Sequence, residues 1–233
     1  MIINKIKSWD EISEFSIKHE LNILPKDLEK IKAFYELLKI ANEKMNLTRL
    51  ISLEDFLTFH VADTLSLFIL LRKNNININP KGHYLDLGSG AGIPGIIFGI
   101  FANLKTTLCD SITKKAVFLK DCIEKLSLED LIRVENKRAE DLTKKYKDYF
   151  SIITARAFAK PIETIQAVKP FLKKNNEAFF LAQTASSLKT DENYIKLLKK
   201  MNLHIFDEIE FTLGDKKRCV YLVKTMFSTQ TVS

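Results

Sequence analysis

The sequence predicts an α/β fold, a Rossmann-like doubly wound parallel sheet closed by an antiparallel hairpin. Three observations carry this reading. Six of the seven glycines (Gly82, Gly88, Gly90, Gly92, Gly95 and Gly99) crowd one stretch between a short apolar strand, Tyr84–Leu87, and an apolar helix starting at Pro94. From Gly82 onward, strand-like and helix-like segments alternate, as a parallel sheet with crossover helices requires. At the end the alternation stops. Residues 203–213 and 218–224 read as two strands in direct succession, joined by Gly214-Asp215-Lys216-Lys217.

The first 75 residues read as a helical layer packed on the core, and residues 76–233 as the main domain, in one compact unit. Leu28, Ile31, Phe34, Tyr35, Leu38 and Ala41 recur at three- and four-residue steps on a helix that Pro25 opens. Ser52-Leu53-Glu54-Asp55 resembles a capping box and starts a second helix through Phe56, Phe59, His60, Asp63, Leu67 and Leu70. Periodicity lapses between the two, at Asn46-Leu47-Thr48-Arg49-Leu50. Asn74 to Lys81 is a polar joint. Beyond the glycines, strands are expected over residues 105–110, 131–135, 149–154 and 178–182, with helices over 113–125 and 161–173.

Two motifs share the glycine letters. Gly90-Ala91-Gly92-Ile93-Pro94-Gly95 satisfies the dinucleotide pattern G-x-G-x-x-G, a weak signal alone. Asp86-Leu87-Gly88-Ser89-Gly90-Ala91-Gly92 satisfies an acidic-x-G-x-G-x-G pattern and looks like the first motif of S-adenosylmethionine-dependent methyltransferases. Asp86 discriminates. A pyrophosphate would be repelled by a carboxylate at the strand end, whereas the ammonium of S-adenosyl-L-methionine is attracted to it. With the closing hairpin, the prediction becomes the seven-strand methyltransferase variant of the Rossmann-like fold, with S-adenosyl-L-methionine as cofactor.

Composition narrows the classes further. No apolar run reaches the roughly 18 residues of a membrane span, and the N-terminus shows no signal-peptide pattern. A cytoplasmic protein with no membrane partner is expected. Cys109, Cys122 and Cys219 are too few and scattered for a disulfide framework or a zinc site, so no metal is expected. The net charge of +7 is compatible with a polyanionic partner.

Ligands of open α/β sheets sit at the carboxyl ends of the strands. Asp110 ends the second strand and is placed to accept from ribose hydroxyls, as it would be in an NAD enzyme too. After the third strand, Ala139 with Glu140 suits recognition of an adenine edge, or equally opens a helix. The fourth strand is followed by Thr154-Ala155-Arg156-Ala157-Phe158. It lacks both the Asp/Asn-Pro-Pro-aromatic run usual for exocyclic amines and the Pro-Cys of pyrimidine-carbon methylation. An acceptor that is already nucleophilic remains, such as guanine N7, whose lone pair needs alignment more than a base. Arg156 suits that task, by contact with the cofactor carboxylate, a phosphate or the guanine edge.

Asn46-Leu47-Thr48, His60-Val61-Ala62-Asp63-Thr64-Leu65, Leu85 to Gly95, Asp110-Ser111, Ala139-Glu140 and Arg156-Ala157-Phe158-Ala159 occur in that order. The chain thereby resembles the RsmG (GidB) family of bacterial 16S rRNA guanine-N7 methyltransferases, over roughly residues 25 to 225. The resemblance implies that Gly88, Ile93, Ala139, Glu140 and Arg156 line the cofactor pocket, together with the Asp86, Gly90 and Asp110 read above. It also implies that Asn46, His60 and Asp63 face the active site, which makes them, with Arg156, candidates to position the substrate; taken alone, His60 reads also as a satisfied core histidine, and the guanine-N7 reading requires no essential acid or base. The implied partner is 16S rRNA in the 30S particle, and a monomer is expected. One departure stands out: the family's fifth strand usually ends in Lys-Gly, and here Ala182-Gln183-Thr184 stands there. Two alternatives stay open, a small-molecule methyltransferase and a non-catalytic, cofactor-sensing RNA-binding protein.

Overall fold

The computed structural model describes residues 1–174, 178–185 and 187–226. Its centre is an eight-stranded sheet: β1 (Ile2–Ile3), β2 (His83–Leu87), β3 (Lys105–Cys109), β4 (Ile132–Glu135), β5 (Ile152–Ala155), β6 (Phe179–Thr184), β7 (Leu203–Leu213) and β8 (Lys216–Thr225), in the order β1-β7-β8-β6-β5-β2-β3-β4. Strands β2 to β6 run parallel, β8 runs antiparallel to β6, and β7 antiparallel to β8. The order reverses at β2, whose two neighbours are β3 and β5. That reversal opens a crevice at the carboxyl ends, where open sheets hold ligands.

The expected parallel strands and the closing hairpin are present. The N-terminal segment departs from an all-helical reading, because Ile2 and Ile3 pair in parallel with Thr212 and Leu213 and cover the outer edge of β7. Helix α1 (Trp9–Lys18) starts at Ser8, whose side chain accepts from the Glu11 amide, while Glu11 accepts from the Lys7 amide. Helix α2 (Pro25–Met45) begins on its proline and ends at Asn46 in the left-handed region, φ 49°. Ser52 caps α3 (Leu53–Phe56), and the same helical rod continues through a π segment, Leu57–Ala62, into α4 (Asp63–Lys73). All six π residues are buried.

Helices α1 to α4 pack with α5 (Gly95–Ala102) and α6 (Thr113–Lys125) on one face of the sheet, in a continuous apolar core. The other face is covered by α7 (Ala139–Tyr146), α8 (Pro161–Val168) and α9 (Glu192–Lys200). Helix α8 is shorter than the periodicity predicts. It gives way to a 3-10 turn at Lys169–Phe171, where Pro170 has no amide to donate to the α-helical ladder, although Lys169 itself keeps helical backbone, φ −50° and ψ −43°. Ala139-Glu140-Asp141 does open a helix, α7, with its two acids in the positively polarised first turn.

Candidate cofactor and acceptor site

The glycine loop follows β2 and is built on close approach. Gly88, Gly90 and Gly92 have φ of 77°, 56° and 85°, conformations that side-chain-bearing residues rarely adopt. A Cβ on Gly88 would meet the Phe158 ring at 2.6 Å, so the bare backbone and the ring share one wall. A glycine turn between a strand and a helix can offer bare amides to a ligand. Here they are engaged internally instead: Gly88 and Ser89 donate to the Cys109 carbonyl, Gly92 to the Ser89 carbonyl, Gly90 to Asp110 Oδ2 and Gly95 to Asp86 Oδ2. A pyrophosphate needs such amides; a cofactor that only lies against a bare backbone does not. The loop therefore offers surface more than donors, which disfavours a dinucleotide.

Asp86 is buried behind this loop. Gly95 N–H donates to Oδ2 at 3.1 Å and the Thr154 hydroxyl to Oδ1 at 2.7 Å, while Tyr84 bonds Thr154 in turn at 2.6 Å. Burial raises the carboxyl to about 6, against the opposing pull of the Thr154 hydrogen bond and the Arg156 charge. Asp86 is absent from the cleft lining, so any attraction it exerts on an ammonium acts from behind the loop. Thr154, which holds it, escaped the sequence reading; the signal was its position on β5 opposite Asp86, legible only once the register is known.

The cleft itself holds about 270 Å³ and is lined by Gly88, Asp110, Ala139, Glu140, Ala157 and Phe158, among others. Four successive strand ends, β2 to β5, thus converge on it. Asp110 sits on one wall with Oδ1 accepting from the Ile112 amide at 2.8 Å and Oδ2 from Gly90, which fixes the carboxylate while leaving further lone pairs. Ala139 is buried and Glu140 exposed at the first turn of α7. Ile93 is buried behind the loop. Cys109, beside Asp110, has its thiol pushed up to about 12 by burial, so it supplies no thiolate. A larger cleft of about 370 Å³ lies elsewhere, between the α1–α2 connection and α4, and gathers no comparable set of chemical groups.

Arg156 leaves β5 toward the N-terminal layer. Its Nη1 donates to the Phe59 carbonyl at 3.1 Å and to Asp63 Oδ2 at 3.2 Å, and Nη2 donates to His60 Nδ1 at 3.2 Å. A guanidinium only donates, so the Arg156 bond to Nδ1 goes with the tautomer protonated on Nε2, which faces the Leu50 carbonyl at 3.1 Å, while Nδ1 also lies 3.0 Å from the Phe59 carbonyl. Burial, seconded by the Arg156 charge, holds His60 down to about 3. His60 and Asp63 are 3% and 2% exposed, so they grip Arg156 and present no open face to a substrate. Asn46 is exposed at the end of α2, and its loop reaches the cluster through Thr48, whose hydroxyl lies 3.3 Å from His60 Nε2. Gln183 points at the same cluster, donating to the Asp63 carbonyl at 3.1 Å.

A His60 held below its free value stabilises the fold above pH 6.5, and that contribution is lost as pH falls from 6.5 toward 3. The melting-temperature difference between wild type and His60→Gln should therefore shrink, or reverse, as pH is lowered through this window. A pH-independent difference would show that the imidazole is not held neutral by its surroundings.

Residues 27–212 match the model of the GidB family, rRNA small subunit methyltransferase G. The chain belongs to that family. Ribosomal RNA small subunit methyltransferase G of Acetivibrio thermocellus is 32% identical over 216 residues, covering 91% of this chain and 86% of the relative. That of Mycoplasma capricolum is 34% identical over 201 residues, covering 85% and 80%. Among solved structures, Pyrococcus horikoshii TYW2 in complex with MeSAdo superposes with a TM-score of 0.56 at 13% identity, covering 72% of this chain and 62% of that one. The METTL16 methyltransferase domain gives 0.53 at 13%, covering 84% and 80%. At such identities the likeness is one of fold, the Rossmann-like methyltransferase fold. No helix among the described residues is long and apolar enough to cross a membrane.

Proposed function

We propose that the protein transfers the methyl group of S-adenosyl-L-methionine to N7 of a guanine in bacterial 16S rRNA, acting as a cytoplasmic monomer on the 30S particle. The observation that carries this reading is the cleft at the sheet's reversal point, walled by a glycine backbone whose amides are already engaged. Within a family of small-subunit rRNA methyltransferases, such a wall fits a nucleoside with a short amino-acid tail. Gly88 is the cradle for that cofactor, since any side chain there would meet Phe158. Bound there, S-adenosyl-L-methionine supplies an electrophilic methyl group on a sulfonium. Asp110 would hold the ribose hydroxyls, Ala139 and Glu140 the adenine edge, and Ile93 would back the loop from behind.

Arg156 would take the cofactor carboxylate with the donors it does not use on Phe59, His60 and Asp63. Guanine N7 carries no proton, so nothing in the site must remove one. The residues need only align acceptor and donor and exclude competing water. Phe158, 36% exposed at the cleft rim and preceded by Ala157 at φ 52°, offers a flat apolar face for a base lifted out of its stack.

Labelled S-adenosyl-L-methionine tests this directly. Purified protein should place the label as 7-methylguanosine in 30S particles from cells lacking the protein, and not in free nucleotides. No transfer to any RNA, with cofactor binding intact, would overturn the proposal. Asp86 provides a second test. A carboxyl raised to about 6 stabilises the fold at low pH and loses that contribution as pH rises through 6. At pH 7.5, Asp86→Asn should therefore melt a few degrees higher than wild type while binding S-adenosyl-L-homocysteine more weakly. Unchanged affinity would dismiss an electrostatic role for Asp86 toward the cofactor ammonium.

A further inference from the structure

We propose that Arg218, held beside Arg156 by Asp63 and continued by Lys216, is a phosphate-binding rail for the backbone of the RNA acceptor. The inference rests on the acceptor being RNA, as proposed above, and assigns where its backbone is gripped. Strand register brings these groups together. Ala155 pairs with Ala182 and Gln183 with Val220, so Arg156, Gln183 and Arg218 lie on one face at the carboxyl ends of β5 and β6, under the start of α4. Asp63 stands between the two arginines, Oδ2 at 3.2 Å from Arg156 Nη1 and Oδ1 at 3.9 Å from Arg218 Nε.

The second distance matters. At 3.9 Å the carboxylate attracts Arg218 without accepting a hydrogen bond from it. Among the described residues the only acceptor for the Arg218 guanidinium is the Lys217 carbonyl, 3.1 Å from Nη1. Its Nε and Nη2 donors are positioned and open, with 22% of the side chain exposed.

Charge points the same way. Lys216 shares a face of β8 with Arg218 two residues on, roughly 6.5 Å along the strand. Its ammonium lies 4.3 Å from the Phe59 ring centroid and forms no ion pair among the described residues. Arg156 and Arg218 thus share the single Asp63 carboxylate, and Lys216 stands near the neutral His60, which leaves a surplus of positive charge. The cofactor brings one carboxylate against an ammonium and a sulfonium and cannot balance that surplus; successive phosphodiesters can, and Arg and Lys are the side chains suited to them.

The test uses full-length protein loaded with S-adenosyl-L-homocysteine, so that it does not depend on turnover, and 30S particles from cells lacking the protein. Affinity is measured between about 50 and 200 mM salt. Arg218→Ala should weaken binding about tenfold and lower the slope of log affinity against log salt by about one. Lys216→Ala should act the same way and Arg218→Lys should restore the slope. Lys199→Ala on α9 serves as the distant control. S-adenosyl-L-homocysteine affinity, measured by calorimetry, should not change, and its retention shows that the variants are folded. An unchanged salt slope in Arg218→Ala would overturn the rail, and so would a loss of cofactor affinity matching the loss of RNA affinity, which would move Arg218 to the cofactor. A wild type that binds particles but methylates nothing would instead refute the proposed reaction and leave the rail standing.

Discussion

Replacing Arg156 with alanine is expected to cut methyl transfer at least a hundredfold and to destabilise the fold by about 3–5 kcal/mol. The two losses have different origins. The truncated side chain leaves Asp63, fully buried, with one remaining cation 3.9 Å away, so a carboxylate stays in the core without a hydrogen-bonding donor. Burial already raises that carboxyl against the opposing Arg156 and Arg218 charges, and removing Arg156 takes away the first of them. The activity loss follows from the missing donors toward cofactor or acceptor. The double variant Arg156→Ala/Asp63→Asn separates the two, because it removes the stranded charge. It should recover most of the melting temperature and none of the turnover. Recovery of turnover would show that Arg156 only holds the N-terminal layer in place. Lysine at 156 should not substitute, because it cannot reach Phe59, Asp63 and His60 at once.

Gly95→Ala is expected to lower the melting temperature by about 10 °C and to weaken S-adenosyl-L-homocysteine at least tenfold. No unusual φ requires glycine here; distance does. A Cβ would lie 2.4 Å from Leu108 Cδ2, 2.6 Å from Asp86 Oδ2 and 2.9 Å from Asp86 Cβ. Helix α5 must then lift away from β2 and β3. That overpacking costs about 1–3 kcal/mol, and loss of the Gly95 amide from the buried Asp86 carboxylate adds about 1.5–3 kcal/mol. At roughly 2–4 °C per kcal/mol for a chain of this size, a shift near 10 °C follows. Gly90 contrasts with it, since a Cβ there finds only the Gly88 carbonyl, at 3.9 Å. Gly90→Ala should be tolerated far better, limited by its positive φ alone. Thermal melts of the pair, side by side, decide whether the close contact at Gly95 governs the loop.

Most of the sheet was legible because each strand is a short apolar run bounded by turn signals. The cofactor loop was legible because glycine is scarce elsewhere in the chain. Asp110, Ala139 and Glu140 could be placed for the same reason: in an alternating chain, the residue after each strand is at the crevice. Harder to foresee were side chains whose role depends on a neighbour far away in sequence. His60 and Asp63 sit three residues apart in a helical pattern, which shows that they share a face and not that Arg156, some 90 residues on, lies against it. Arg218 needed the antiparallel register of β8. The π segment left no periodicity signal, since six consecutive buried residues read as any buried helix. The engagement of the loop amides was invisible for a related reason, because it depends on how β3 returns beside β2.

The pairing of Ile2 and Ile3 with Thr212 and Leu213 also bears on the order in which the chain matures. Ile2 and Ile3 have as their partners residues 210 positions later, Thr212 and Leu213, so the outer edge of the sheet stays open until β7 has been made. The same hairpin carries Arg218 and Lys216. The glycine loop and the strands beside it can thus assemble early, whereas the proposed phosphate rail forms only once β7 and β8 have been made. On the roles proposed above, a partly made molecule would complete its cofactor cleft before its RNA-binding edge.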